Sequence, residues 1–176
     1  MIAPSEQPDG KAVTSLTASL NDLAERLSER GLLVATAESC TGGGIACAMT
    51  ELAGASRWFD RGFVTYSNEA KAEQLGVAVE TLKRHGAVSE PVVLEMALGA
   101  LAHSRAALSV AVSGVAGPGG GSPDKPVGTV WIAWADTESG ASAQCFLFPG
   151  DRHAVRQATI VAAIQGLVAR LDSSLP

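Results

Sequence analysis

Two apolar runs of strand length, LLVATA (32–37) and LSVAVSG (Leu108–Gly114), restrict what this chain can fold into. Both are short and partly β-branched, so each reads as a buried strand. Helical patterns separate the early strands. Leu16, Leu20, Leu23 and Leu27 recur at helical spacing ahead of a stop at Gly31. Residues 41–52 predict a helix, GFVTYS (62–67) a strand, and 68–75 and 81–85 two short helical pieces. Ser89 or Glu90 can cap the next helix, with Pro91 in its first turn. Its apolar face is Val92, Val93, Met96, Ala97, Ala100 and Leu101. GTVWIAWAD (128–136) and SAQCFLF (142–148), joined by a short turn, predict an antiparallel hairpin. A last helix over 151–170 follows, with Val161, Ile164, Val168 and Leu171 as its inner stripe. The expected fold is therefore α/β. It is a three-layer-like single domain with a mixed sheet of about five or six strands covered by helices, closed by a C-terminal antiparallel hairpin and a final helix. Residues 1–12 are expected to form a loose tail and 13–172 the domain.

Charge and cysteine usage narrow the partners. The net charge is −5 with no long basic run, which argues against nucleic acid or an anionic membrane surface as the main partner. No run of 18 apolar residues occurs. Cys40, Cys47 and Cys145 are odd in number and lack paired spacing, so a reducing, cytoplasmic setting is expected. Cys40 and Cys47 do not have zinc-ligand spacing, and neither a metal nor a cofactor is expected. A homodimer is the default assembly, because closed twofold pairs are the commonest.

Three stretches carry residues able to do chemistry. In TAESCTGGG (36–44), Ser39 stands between a buried strand and an expected helix start. It is either an N-cap or a nucleophile facing free backbone N–H groups. The glycines at 42, 43 and 44 exceed what a cap needs. Cys40 is the rival nucleophile, although His85, His103 and His153 fall in separate segments and none is an obvious base. In TYSNEAK (65–71), Lys71 is either a solvated helix lysine or a desolvated general base beside Ser39, with Tyr66 relaying a proton or orienting the hydroxyl. SGVAGPGGGSPDKPVGT (113–129) is a glycine-rich loop at a strand end, able to offer N–H groups to an anion. It is no Walker loop, and Ser122 stands where G-x-G-x-x-G needs its third glycine. Lys125 and Arg152 can add positive charge near a phosphate. SPDK (122–125) has the S-x-x-K spacing of penicillin-binding enzymes but lies among prolines and glycines rather than at a helix start.

TAESCTGG, GFVTYSNEAK, HGAVSEPVV, SGVAGPGGGSPDKPVGTVW and FPGDR occur in that order across 16–170. Together they resemble the CinA C-terminal domain family, the nicotinamide-nucleotide amidohydrolases, in its stand-alone form. The resemblance implies hydrolysis of the carboxamide of nicotinamide mononucleotide to nicotinic acid mononucleotide and ammonia, a pyridine-nucleotide salvage step, without metal. It puts the nucleophile on Ser39, the base on Lys71 and a supporting tyrosine on Tyr66. It matches the family's substrate-binding segments to Gly42 and Gly43 and to the loop with Ser113, Gly114 and Gly117; Cys40, Thr41, Lys125, Thr129 and Arg152 are the further candidates for substrate contact. Two rival functions remain: a non-catalytic module that binds a phosphorylated nucleotide, and a Ser-Lys amidase for another small amide.

Overall fold

A computed structural model describes residues 10–174. Helix α1 (Gly10–Arg30) leads into strand β1 (Val34–Glu38), then helix α2 (Gly44–Thr50) and a 3-10 turn (Ala55–Arg57). Strand β2 (Phe59–Val64) is followed by helices α3 (Asn68–Leu75), α4 (Val79–His85) and α5 (Glu90–Ala102). Strands β3 (Leu108–Gly114), β4 (Thr129–Asp136) and β5 (Gly140–Leu147) precede the long helix α6 (Arg152–Ser174). Residues 10–12, read from sequence as the end of a tail, belong to α1, and residues 1–9 lie outside the described part.

The sheet has five strands in the order β2-β1-β3-β4-β5. β1 is parallel to both β2 and β3, and β4 is antiparallel to both β3 and β5. The chain steps from β1 to β2 on one side, then crosses to β3 on the other. Such a reversal opens a crevice beyond the carboxyl ends of the strands. Ser39 and the glycine-rich loop both leave the sheet at that end.

The two faces of the sheet are built differently. Val34, Leu108, Val110, Val112, Val130, Ile132 and Trp134 pack under α1, α2 and α6. Ala35, Ala37, Ala111, Ala133 and Ala135 face α5, with α3 and α4 beyond it. Small residues let α5 lie close to the strands, and the Ser109 hydroxyl donates to the Ala97 carbonyl at 2.8 Å. The packing around α5 leaves no slack, since a Cβ at Gly99 would come 2.0 Å from the Leu75 carbonyl oxygen.

Several expected boundaries move. β2 ends at Val64, and Tyr66 and Ser67 lead into α3, where the Ser67 hydroxyl caps the helix by accepting from Ala70 N at 3.0 Å. The strand expected over 62–67 is found shifted toward the N-terminus: Gly62–Val64 was legible, whereas Phe59–Arg61 was not, because this edge strand carries Asp60 and Arg61 there. α2 starts at Gly44 rather than Thr41, for a reason given below. On α6 the fully buried positions are Val155, Thr159, Ile160, Ala163, Ile164, Leu167 and Leu171, while Val161 and Val168 are half-buried.

Candidate active site

The strand-to-helix connection after β1 is shaped by one buried acid. Glu38, the last residue of β1, is fully buried. Its Oε2 accepts from the Thr41 hydroxyl at 2.6 Å and from Ile45 N at 3.0 Å. Its Oε1 accepts from Ala46 N at 2.8 Å and from the Thr36 hydroxyl at 3.3 Å. Four donors thus compensate a charge that burial alone would penalise heavily. This corrects the expectation that α2 aims its free N–H groups at Ser39. The donors at the start of α2 are taken by Glu38, so the helix end is already satisfied.

Between Glu38 and α2 the chain turns through Gly42 (φ 58) and Gly43 (φ 91). Both lie in the left-handed region, where a side chain is strained. Those angles delay the helix start by three residues. Gly44 serves packing instead, since a Cβ there would stand 2.8 Å from Ile160 Cδ1 of α6. Inside the turn Gly42 N donates to the Ser39 carbonyl at 3.1 Å, and Gly44 N to the Thr41 carbonyl at 3.2 Å. The N–H groups of Cys40, Thr41 and Gly43 make no backbone hydrogen bond among the described residues. Gly42 N, in contrast, is committed to the turn.

Ser39 is anchored to the sheet by its N–H, which donates to Val112 O at 3.1 Å. Its hydroxyl lies 3.1 Å from Lys71 Nζ. Lys71 comes from α3, 32 residues on, and only 1% of it is exposed. Nζ also donates to the Thr65 carbonyl at 2.7 Å. Burial holds the Lys71 amine below its ordinary pKa, opposed only weakly by nearby Cys40. Burial thus makes the neutral amine more accessible than in a solvated lysine, next to the Ser39 hydroxyl. The Thr65 hydroxyl is buried and has no partner among the described residues.

The surroundings of Cys40 argue against it as the nucleophile. It is buried in the apolar core beneath α2 and α6, and burial pushes its thiol up to about 11. At neutral pH such a thiol keeps its proton, which disfavours it as a nucleophile.

The other residues singled out from sequence fall into three places. Tyr66 and Arg152 meet at the rim. Arg152 Nη2 donates to the Tyr66 hydroxyl at 3.1 Å, and its Nη1 donates to the Gly117 carbonyl at 3.0 Å. Tyr66 is 61% exposed and makes no hydrogen bond to Ser39 or Lys71. Ser113 and Lys125 both hold the segment before α5: the Ser113 hydroxyl donates to Ala87 O at 2.8 Å and Lys125 Nζ to His85 O at 3.1 Å. Gly114 and Thr129 sit at the paired ends of β3 and β4, where a Cβ on Gly114 would be 2.8 Å from the Thr129 carbonyl oxygen. A cavity of about 520 Å³ opens beside the rim, lined by Pro118, Val127, Gly150, Asp151, Arg152, His153 and Arg156.

Sequence reasoning missed Glu38 and Arg156. The signal for Glu38 was a charged residue ending a buried run, immediately before the Ser-Cys-Thr-Gly-Gly turn. Arg156 gave no local signal, because its partner is the Thr41 carbonyl, 115 residues away.

The family model described as the CinA C-terminal domain matches residues 16–171. The chain belongs to that family. Within the CinA family it is 56% identical over 145 residues to the nicotinamide-nucleotide amidohydrolase PncC of Escherichia coli K12, covering 82% of this chain and 88% of that one. It is 55% identical over 146 residues to the PncC of Pseudomonas putida, covering 83% and 91%. Among solved structures it resembles the competence/damage inducible protein CihA of Agrobacterium tumefaciens, with a TM-score of 0.83 at 46% identity over 94% of this chain and 98% of that one. Among the described residues no helix is long and apolar enough to cross a membrane.

Proposed function

We propose that this CinA-family chain hydrolyses the carboxamide of nicotinamide mononucleotide to nicotinic acid mononucleotide and ammonia, with Ser39 as nucleophile and Lys71 as general base. The observation that carries the reading is the buried Lys71 amine 3.1 Å from the Ser39 hydroxyl. The activity in the names of two relatives more than half identical to this chain points to the same substrate.

The steps follow from that pair. Neutral Lys71 takes the Ser39 proton as Oγ attacks the carboxamide carbon. The oxyanion that forms is met by the N–H groups of Cys40, Thr41 and Gly43. The Lys71 ammonium returns the proton to the departing nitrogen, the C–N bond breaks and ammonia leaves. Water, deprotonated by Lys71, then attacks the acyl-Ser39 ester, which releases the carboxylate and restores the serine. Throughout, the Thr65 carbonyl keeps Nζ in place.

Arg152 and Tyr66 face outward at the rim, beside a cavity within the 300–1,000 Å³ range common for small-molecule sites. We assign the ribose phosphate to that flank, with Arg152 as its cation and Tyr66 ordering Arg152 and the substrate. In this arrangement Lys125 and Ser113 shape the pocket wall by holding residues 85–87. A salvage role follows from the product.

The test is ammonia release from nicotinamide mononucleotide without added metal. Turnover in the wild type and its near-complete loss in folded Ser39→Ala and Lys71→Ala supports the reading. Wild-type binding without turnover would favour a nucleotide-binding module. Turnover only on other small amides would keep the mechanism and replace the substrate.

A further inference from the structure

Arg156 sits one turn after Arg152 on α6 yet faces a different target. Its Nη2 donates to the Thr41 carbonyl at 2.7 Å, and the same oxygen accepts from Gly44 N at 3.2 Å. Thr41 is fully buried, and its hydroxyl is held by Glu38 at 2.6 Å. The residue is therefore gripped by its main chain from α6 and by its side chain from β1. A trans peptide unit is planar, so its C=O and N–H point in opposite directions. Fixing the Thr41 carbonyl also aims the Gly42 N–H, which donates to the Ser39 carbonyl at 3.1 Å. The guanidinium thus sets the shape of the turn that carries the nucleophile and the unoccupied N–H groups.

Its other contacts show that stability alone does not explain it. Arg156 Nε is buried with no partner among the described residues. Its identified side-chain partner is a neutral carbonyl rather than a carboxylate. The guanidinium is half-buried, and the cost of burying its Nε–H is not returned by any hydrogen bond among the described residues. Unmet buried donors of this kind point to a working role.

We propose that Arg156 is a positioning residue for the Ser39 reaction: by holding the Thr41 carbonyl it keeps the Cys40–Gly43 turn shaped to receive the oxyanion. The proposal rests on Ser39 being the nucleophile.

Two rates are compared in wild type, Arg156→Lys and Arg156→Met. One is ammonia release from nicotinamide mononucleotide, resolved into kcat and KM. The other is phosphonylation by a small alkyl fluorophosphonate, which carries no nucleotide. In that step an Oγ–P bond forms, the P–F bond breaks, fluoride leaves and the Ser39 proton passes to Lys71. In Arg156→Met, kcat and the phosphonylation rate fall together by about 100-fold, the scale of a small misplacement of reacting groups, while KM moves by less than about threefold. Added guanidinium restores part of both rates. Arg156→Lys lies between, because an ammonium lacks the fork geometry. It carries the same comparison if Arg156→Met does not fold.

A rise in KM at unchanged kcat and unchanged phosphonylation would overturn the proposal and make Arg156 a substrate-binding group. Unchanged rates in both assays would overturn it too and leave a structural arginine. A wild type that phosphonylates at Ser39 but releases no ammonia removes the proposed substrate, and the Arg156 comparison still stands on phosphonylation. A wild-type Ser39 inert in both assays defeats both claims.

Discussion

A lysine amine buried beside a serine makes activity and stability respond to pH in linked ways. Lys71 is depressed below its ordinary value of 10.5 by desolvation, and the proposed mechanism uses its neutral form. On this reading kcat/KM rises with pH through the lowered Lys71 pKa and then levels. A pH–rate series shows this, and Lys71→Arg removes turnover because a guanidinium keeps its proton. Stability follows the same proton. In the unfolded chain the amine titrates near 10.5, so between the folded and unfolded pKa values the unfolded state binds more protons. Folding stability therefore climbs with pH across that window. Lys71→Met does not climb with it, so at neutral pH the stability balance between the two proteins lies further toward the variant than at pH 10. Urea titrations at both pH values measure the change, and a constant difference would contradict the burial argument. Cys40→Ala, in contrast, retains turnover. It loses only packing, about 1 kcal/mol of stability by the scale of a buried methylene-sized group.

At the scale of elements, the turn between β1 and α2 holds the hydrogen-bonded cluster around which the site is arranged. Glu38→Gln keeps the shape but replaces one acceptor oxygen with an amide donor that faces an N–H or a hydroxyl. A loss of about 2–4 kcal/mol is expected, since breaking one side of a buried charged network is strongly destabilising. Chemical denaturation measures it. Strand β2 depends on a second acid. Asp60, whose side chain is 3% exposed, accepts from Arg105 and from Arg61 Nε at 2.8 Å. The Arg105 hydrogen bond is the main cause of its pKa falling from 3.8 to about 2. Its contribution is present above pH 3.8 and is lost as the pH falls toward 2. Asp60→Asn therefore shows a flatter loss of stability over that interval than the wild type.

These two acids also mark what the sequence could and could not reveal. LSVAVSG and the hairpin were legible because strands that pack on both faces, or pair locally, show it in their own residues. The first half of β2, Phe59–Arg61, was not, because Asp60 is held there by Arg105, 45 residues along the chain. The start of α2 was misplaced because periodicity continues through Thr41–Gly43 while the φ angles do not. Ser39 and Lys71 were legible as residue types, but their 3.1 Å approach was not, since it depends on β1 and β2 being parallel neighbours.

Across the whole molecule the asymmetry of the two sheet faces sets where change is tolerated. α5 lies on alanines and touches Leu75 O through Gly99, so Gly99→Ala forces a backbone shift and should cost about 1–3 kcal/mol, read as a lower denaturation midpoint. Conservative swaps among the larger residues opposite, such as Ile164→Leu, should cost less than about 1.5 kcal/mol.

Assembly of the site also spans nearly the whole chain. Thr41 and Arg156 stand 115 residues apart, and Arg156 belongs to the last helix. At roughly 5–20 residues per second, a growing chain would carry its serine and lysine for on the order of ten seconds before the arginine proposed to brace their turn is made. On the proposed mechanism the ribosome would thus hold a nucleophile that is present but unbraced, and hydrolytic competence would arrive late in synthesis, with α6.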